Sequence, residues 1–174
     1  KTRSRAIWAI STWGFSALVL IPYFVPAVPV VYSASTDAPQ AGSINILEDG
    51  ASVAETITLP STVEASSLNI AFLAGEVQWL DSSVVSVEVT DASGARVFRT
   101  EAPANSLHDG LHEFPATGLV LRGGEKYTVT ITSEMTEGGS ARVMINPAVD
   151  QFPTTENGAT VHGDLLMTIA GRTK

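Results

Sequence analysis

The sequence predicts an all-β domain, an antiparallel β-sandwich of jelly-roll type, preceded by a single N-terminal transmembrane α-helix. Three observations predict this. Residues 6–32 carry no charge. Beyond residue 43 apolar side chains recur at every second position, and no stretch past residue 40 repeats them at the 3.6-residue interval of a helix. Turn sequences containing glycine and aspartate punctuate that alternation at short intervals.

Residues 1–5 read as a cytoplasmic tail, with Lys1, Arg3 and Arg5 and no acid. Residues 6–32 (AIWAISTWGFSALVLIPYFVPAVPVVY) read as the transmembrane anchor. Its helical part is expected over 6–24, where a rise of about 1.5 Å per residue spans about 28 Å, close to the hydrocarbon thickness of a bilayer. Pro22, Pro26 and Pro29 follow, and each removes a backbone donor and turns the preceding residue away from helix. Trp8 falls near one membrane interface and Tyr23 and Tyr32 near the other, where aromatic anchors sit. The basic tail orients the span with its N-terminus in the cytoplasm and the rest outside, in a bacterial cell membrane. A cleaved signal peptide is the rival reading, with Ser33-Ala34-Ser35 as its small-residue site; the apolar run exceeds a signal core of about 7–15 residues, which favours an uncleaved anchor.

The span holds no His, Asp, Glu, Lys or Arg, so it offers no proton relay and no charged ligand for a cofactor. Ser11, Thr12, Gly14, Ser16 and Ala17 are small enough for close helix–helix approach, and they are the expected contacts to neighbouring membrane subunits.

Residues 33–43 (SASTDAPQAGS) read as a flexible linker. From residue 44 to 174 the alternation takes over. Leu68, Ile70 and Phe72 share one face, as do Val85, Val87 and Val89, and Tyr127, Val129 and Ile131. Val143 and Ile145 flank Met144. Val161, Gly163, Leu165, Met167 and Ile169 are expected to form one face of a last strand, with His162 and Asp164 on its wetter face. Asp91-Ala92-Ser93-Gly94 predicts a hairpin turn, and Gly123-Gly124 and Gly138-Gly139 predict two more breaks.

The Leu68-x-Ile70 strand, the Val85-Ser-Val87-Glu-Val89 strand with Asp91-x-x-Gly94, the LRGGEKY entry at 121–127 and the closing Gly163-Asp-Leu-Leu-Met167 together resemble the extracytoplasmic jelly-roll accessory domains of bacterial membrane proteins. These are similar to carbohydrate-binding modules. The resemblance covers residues 57–169 and implies a binding or packing module without catalytic residues.

Charge excludes several functions. All 18 acidic residues lie from Asp37 onward, against seven of the ten basic ones. An acidic domain without a basic stripe is unsuited to nucleic acid or to anionic headgroups. The chain has no cysteine, so disulfides, thiolate metal sites and cysteine nucleophiles are absent. Serine, histidine and acid occur, but no nucleophile elbow, phosphate loop or dinucleotide fingerprint does, so no catalytic residue and no cofactor is assigned.

His108 and His112, with Asp109 and Glu113 beside them, have the i, i+4 spacing of a helical metal site. In an extended strand the two rings would lie about 13 Å apart, so no metal is expected there. Acids near turns (Glu48, Asp49, Asp81, Asp91, Asp109) read as solvated, since no calcium-loop pattern contains them. Trp79 is the single tryptophan of the domain and a candidate for stacking on a sugar or plugging a partner's pocket. The resulting expectation is a non-enzymatic, membrane-anchored accessory or structural subunit. Its partners are the lipid bilayer and the other integral-membrane subunits of a larger complex, respiratory or photosynthetic. An envelope-tethered module that binds glycan is the alternative.

Overall fold

In the computed structural model, residues 30–33, 42–45, 51–74, 83–134 and 141–174 are described, and strands dominate them. In chain order these are β1 (Val30–Ser33), β2 (Gly42–Asn45), β3 (Ser52–Thr58), β4 (Val63–Ala74), β5 (Val84–Asp91), β6 (Arg96–Pro103), β7 (Gly110–Pro115), β8 (Val120–Leu121), β9 (Lys126–Glu134), β10 (Ala141–Asn146), β11 (Thr154–Glu156), β12 (Ala159–Val161), β13 (Asp164–Leu165) and β14 (Met167–Thr173), with one 3-10 turn at Ala104–Ser106.

The strands form two antiparallel sheets, consistent with a β-sandwich. One has the order β12-β11-β3-β9-β5-β6. The other runs β1-β14-β4-β10-β13, with β2 joined to β10 and with β7 and β8 joined to β4. Apolar residues from both sheets make one core: Val53, Ile57, Val87, Val129 and Ile131 from the first meet Leu68, Ile70, Phe72, Phe114, Met167 and Ile169 from the second. The period-two reading finds these core faces because successive side chains in a strand point to opposite sides. On β9 the buried phase is Tyr127, Val129, Ile131 and Ser133, and the threonines between them face outward.

The expected hairpin is present between β5 and β6. Asp91 Oδ1 accepts hydrogen bonds from the Ser93 amide (2.9 Å), the Ser93 hydroxyl (2.6 Å) and the Ala95 amide (3.0 Å). Gly94 takes φ +80°, where a side chain would be strained. At the entry to β9, Tyr127 is buried; its hydroxyl accepts from the Arg122 amide (3.0 Å) and donates to Glu125 (3.0 Å). Burial, the first cause, pushes the Tyr127 phenol above its ordinary pKa.

Residues 161–169 are not one strand, as the alternation predicts. Val161 ends β12 in the six-stranded sheet, and the chain then crosses to β13 and β14 in the other. Gly163 makes the crossing at φ +113°, and a Cβ there would lie 2.8 Å from the Asn146 carbonyl oxygen. Asp164 is not on a wet face either. It is buried, and its carboxylate accepts from the amides of Gln151 (3.0 Å) and Phe152 (3.1 Å), tying down the chain that leads into β11.

Both Val30–Ser33 and Gly42–Asn45 are sheet strands, with Tyr32 opposite Ile169 of β14 and Met144 opposite Ser43. Trp8, Ser11, Thr12, Gly14, Ser16, Ala17 and Tyr23, and with them the expected transmembrane helix, lie outside the described residues. Among the described residues no helix is long and apolar enough to cross a membrane.

Candidate functional site

The crossover between the sheets creates the first site. The hairpin β11–β12 and the segment before it enclose an open groove of about 480 Å³, lined among others by Asp150, Phe152, Thr154, Thr160, Val161 and His162. His162 Nδ1 and Asp150 Oδ2 are 2.8 Å apart across it, with the imidazole largely exposed. Asp150 Oδ1 also accepts from the Gly163 amide (3.3 Å), so the conformation that turns the chain also places the carboxylate. A carboxylate on Nδ1 leaves the other imidazole nitrogen to meet a ligand. The groove thus offers hydroxyls, a carboxylate, an imidazole and the half-buried ring of Phe152.

Beneath the groove lies Glu55, which the sequence analysis did not single out. It occupies the inward phase of β3, between Val53 and Ile57, and is fully buried. Its Oε2 accepts from the Thr154 hydroxyl (3.3 Å) and from the Leu165 amide of the facing sheet. A buried carboxylate persists only where hydrogen bonds replace its hydration. Here they join β3 to β11 and β13. An acid at a core position of an alternating strand was the available signal.

The second site corrects the sequence expectation for the two histidines. The rings of His108 and His112 have centroids 5.7 Å apart, not about 13 Å as an extended strand requires. The reason is Gly110, whose φ of +99° turns the chain between them. His112 pairs with Ile70 across β4 and β7, which puts it on the core face, 4.9 Å from the ring of Phe114 and 6.4 Å from that of Phe72. Its Nδ1 is buried and has no hydrogen-bond partner. Desolvation first, and then the nearby His108, hold the His112 pKa below 6.5, against a smaller opposing effect of Glu113. The ring is therefore neutral at neutral pH.

The third feature is on the outer face of the eight-stranded sheet. Ala71 is opposite Leu111, its amide donates to the Leu166 carbonyl (2.9 Å), and the Leu166 amide donates to the Met144 carbonyl (3.0 Å). This sets Leu111, Ala71, Leu166 and Met144 in a row across the strands, with Leu73 one step along β4. Ala71 and Leu166 are buried, while Leu111 is 45% and Leu73 39% exposed. An outward apolar row is unusual in an antiparallel sheet whose outer face meets water.

Of the other candidates, Trp79, Glu48, Asp49 and Asp81 lie outside the described residues, and Asp91 is engaged by its own turn. Among the described residues no group of three or more His, Asp or Glu side chains is placed to hold a metal ion. No protein-family model matches the sequence, and no curated protein matches it.

Proposed function

We propose that this chain is a non-enzymatic accessory subunit, anchored by its N-terminal helix in a bacterial cell membrane, whose jelly-roll sandwich docks outside the membrane on the other integral-membrane subunits of a larger complex. The observation that carries this reading is the apolar row on the outer face of the eight-stranded sheet, open at Leu73 and Leu111. Large exposed apolar side chains grouped on one face mark interaction surfaces, and aliphatic contact of this kind is what a permanent partner covers. The acidic surface limits non-specific association, so the apolar opening directs contact to one place. The test is co-purification in mild detergent. The double variant Leu73→Ser, Leu111→Ser should keep its fold and lose the partner chains that accompany the wild type. Retention of those chains at full stoichiometry would overturn the reading.

The groove at Asp150 and His162 favours a second reading, an envelope-tethered glycan-binding module. Sugars are held by planar hydrogen-bonding groups beside an aromatic ring, and Asp150, His162, Thr160 and Phe152 supply that set. An oligosaccharide array separates the two readings. Binding that His162→Ala abolishes supports the glycan module, and an array without signal supports the docking subunit.

A further inference from the structure

We propose that His108 and His112 form a two-imidazole site for a divalent transition metal of the copper, nickel and zinc group, at the edge of the sandwich where β7 begins. An imidazole nitrogen binds such a metal at about 2.0–2.1 Å, which puts each ring centre about 3.2 Å from the ion, so two rings sharing one ion have centres about 5.2 Å apart at a tetrahedral angle and more at a wider one. The two rings here are 5.7 Å apart and inclined at 65°. No rearrangement of the backbone is needed to bring them to that spacing.

Two features of the fold prepare the site. Gly110 supplies the turn, and its φ of +99° is open to glycine and strained for other residues. Leu107, buried on one side of His108, and Phe114, buried on the far side of His112, hold the two ends of the segment in the core. The edge-on contacts of the His112 ring with Phe72 and Phe114 fix its orientation. A ligand whose rotamer is already set loses little entropy on binding.

The second observation is the buried Nδ1 of His112, which no hydrogen-bonding group satisfies. Buried polar atoms of native proteins have partners as a rule, so a ring nitrogen that no hydrogen bond engages keeps its lone pair or proton unmatched and is available to a ligand.

The donor set decides the class of ion. Two imidazoles suit copper, nickel and zinc, whereas calcium and magnesium take oxygen donors. Among the described residues no third His, Asp or Glu completes the set, so the pair is not a closed structural zinc site. The series of divalent affinities then places copper(II) above nickel(II) and zinc(II).

The experiment is a titration of the full 174-residue chain in detergent with copper(II), read by calorimetry and by electron spin-echo spectroscopy of the coordinated imidazoles. One equivalent should bind with two coupled imidazoles, and magnesium should not compete. His108→Gln, at the exposed position, should weaken binding at least tenfold and leave a single imidazole. His112→Phe, which keeps an aromatic ring against Phe72 and Phe114, should do the same. His162→Gln, which removes the remaining histidine, should change neither. A one-imidazole signal in the wild type, binding undiminished by His108→Gln, or binding lost in His162→Gln would each overturn the proposal. Because His108→Gln lies on the surface, the test stands even where His112→Phe disturbs folding.

Discussion

Replacing Glu55 probes the connection between the two sheets. In Glu55→Ala the Leu165 amide, inside the core, loses its acceptor, while the Thr154 hydroxyl retains an alternative at the Phe152 carbonyl 3.4 Å away. An orphaned buried amide costs about 1–3 kcal/mol. The void left by one methylene and a carboxyl adds about 1–2 kcal/mol. Release of a carboxylate from its desolvated position returns part of this. The net loss is expected at about 2–4 kcal/mol, a large share of the stability of a domain this size. Glu55→Gln keeps an oxygen that can accept from Leu165 and nearly the same volume, and should cost about 1 kcal/mol. Urea unfolding of the chain, followed by far-ultraviolet circular dichroism, reads both values. With a slope of about 1–3 kcal/mol per molar, the alanine variant should unfold at least about 0.7 M earlier than the wild type. Hydrogen exchange at the Leu165 amide adds a local readout, fast in the alanine variant and protected in the glutamine one. The reasoning fails if the two variants are equally destabilised, or if Leu165 stays protected when residue 55 is alanine.

Other outcomes follow from single contacts. Gly163→Ala should lose about 1–3 kcal/mol from its backbone conformation and more from the 2.8 Å approach to Asn146, whereas Gly124→Ala, also at positive φ but with open space around it, should lose only about 1 kcal/mol in the same urea assay. Tyr127→Phe removes the hydroxyl that links Arg122 and Glu125 and should lower stability by about 1 kcal/mol. The Asp91 carboxylate is held below its ordinary pKa of 3.8, chiefly by the Ser93 hydroxyl and then by the backbone amides of Ala95 and Ser93. A depressed folded-state pKa means that the carboxylate stabilises the hairpin fully above its unfolded pKa, and that this is lost as pH falls through the folded one. Unfolding midpoints of the wild type and Asp91→Ala should therefore differ at pH 6, begin to approach each other near the unfolded pKa of about 4, and converge only as pH falls through the lower folded-state pKa; a gap that stays constant with pH would refute the assignment. Cysteine-accessibility labelling should reach position 174 from outside the cell and position 2 only after lysis, and the reverse pattern would refute the proposed orientation.

The amino-acid sequence by itself determined which faces of most strands are buried. Leu68, Ile70 and Phe72, or Val85, Val87 and Val89, reveal a core face because the two-residue period is a property of the extended backbone alone. It also determined the β5–β6 turn, since the short side chain of Asp91 reaches the next amides without help from the rest of the fold. Tertiary structure alone decided which sheet each strand joins, because identical alternation on two sheets carries no address. For that reason residues 161–169, continuous in pattern, divide at Gly163 between the sheets. Distant partners were equally hidden: Glu55 is an anomaly in β3 until Leu165, 110 residues away, supplies its hydrogen bond. The separation of His108 and His112 depended on one backbone angle. An extended Gly110 would hold the rings far apart, but glycine is equally free at positive φ, and packing of Leu107 and Phe114 on either side selected the turn that brings them together.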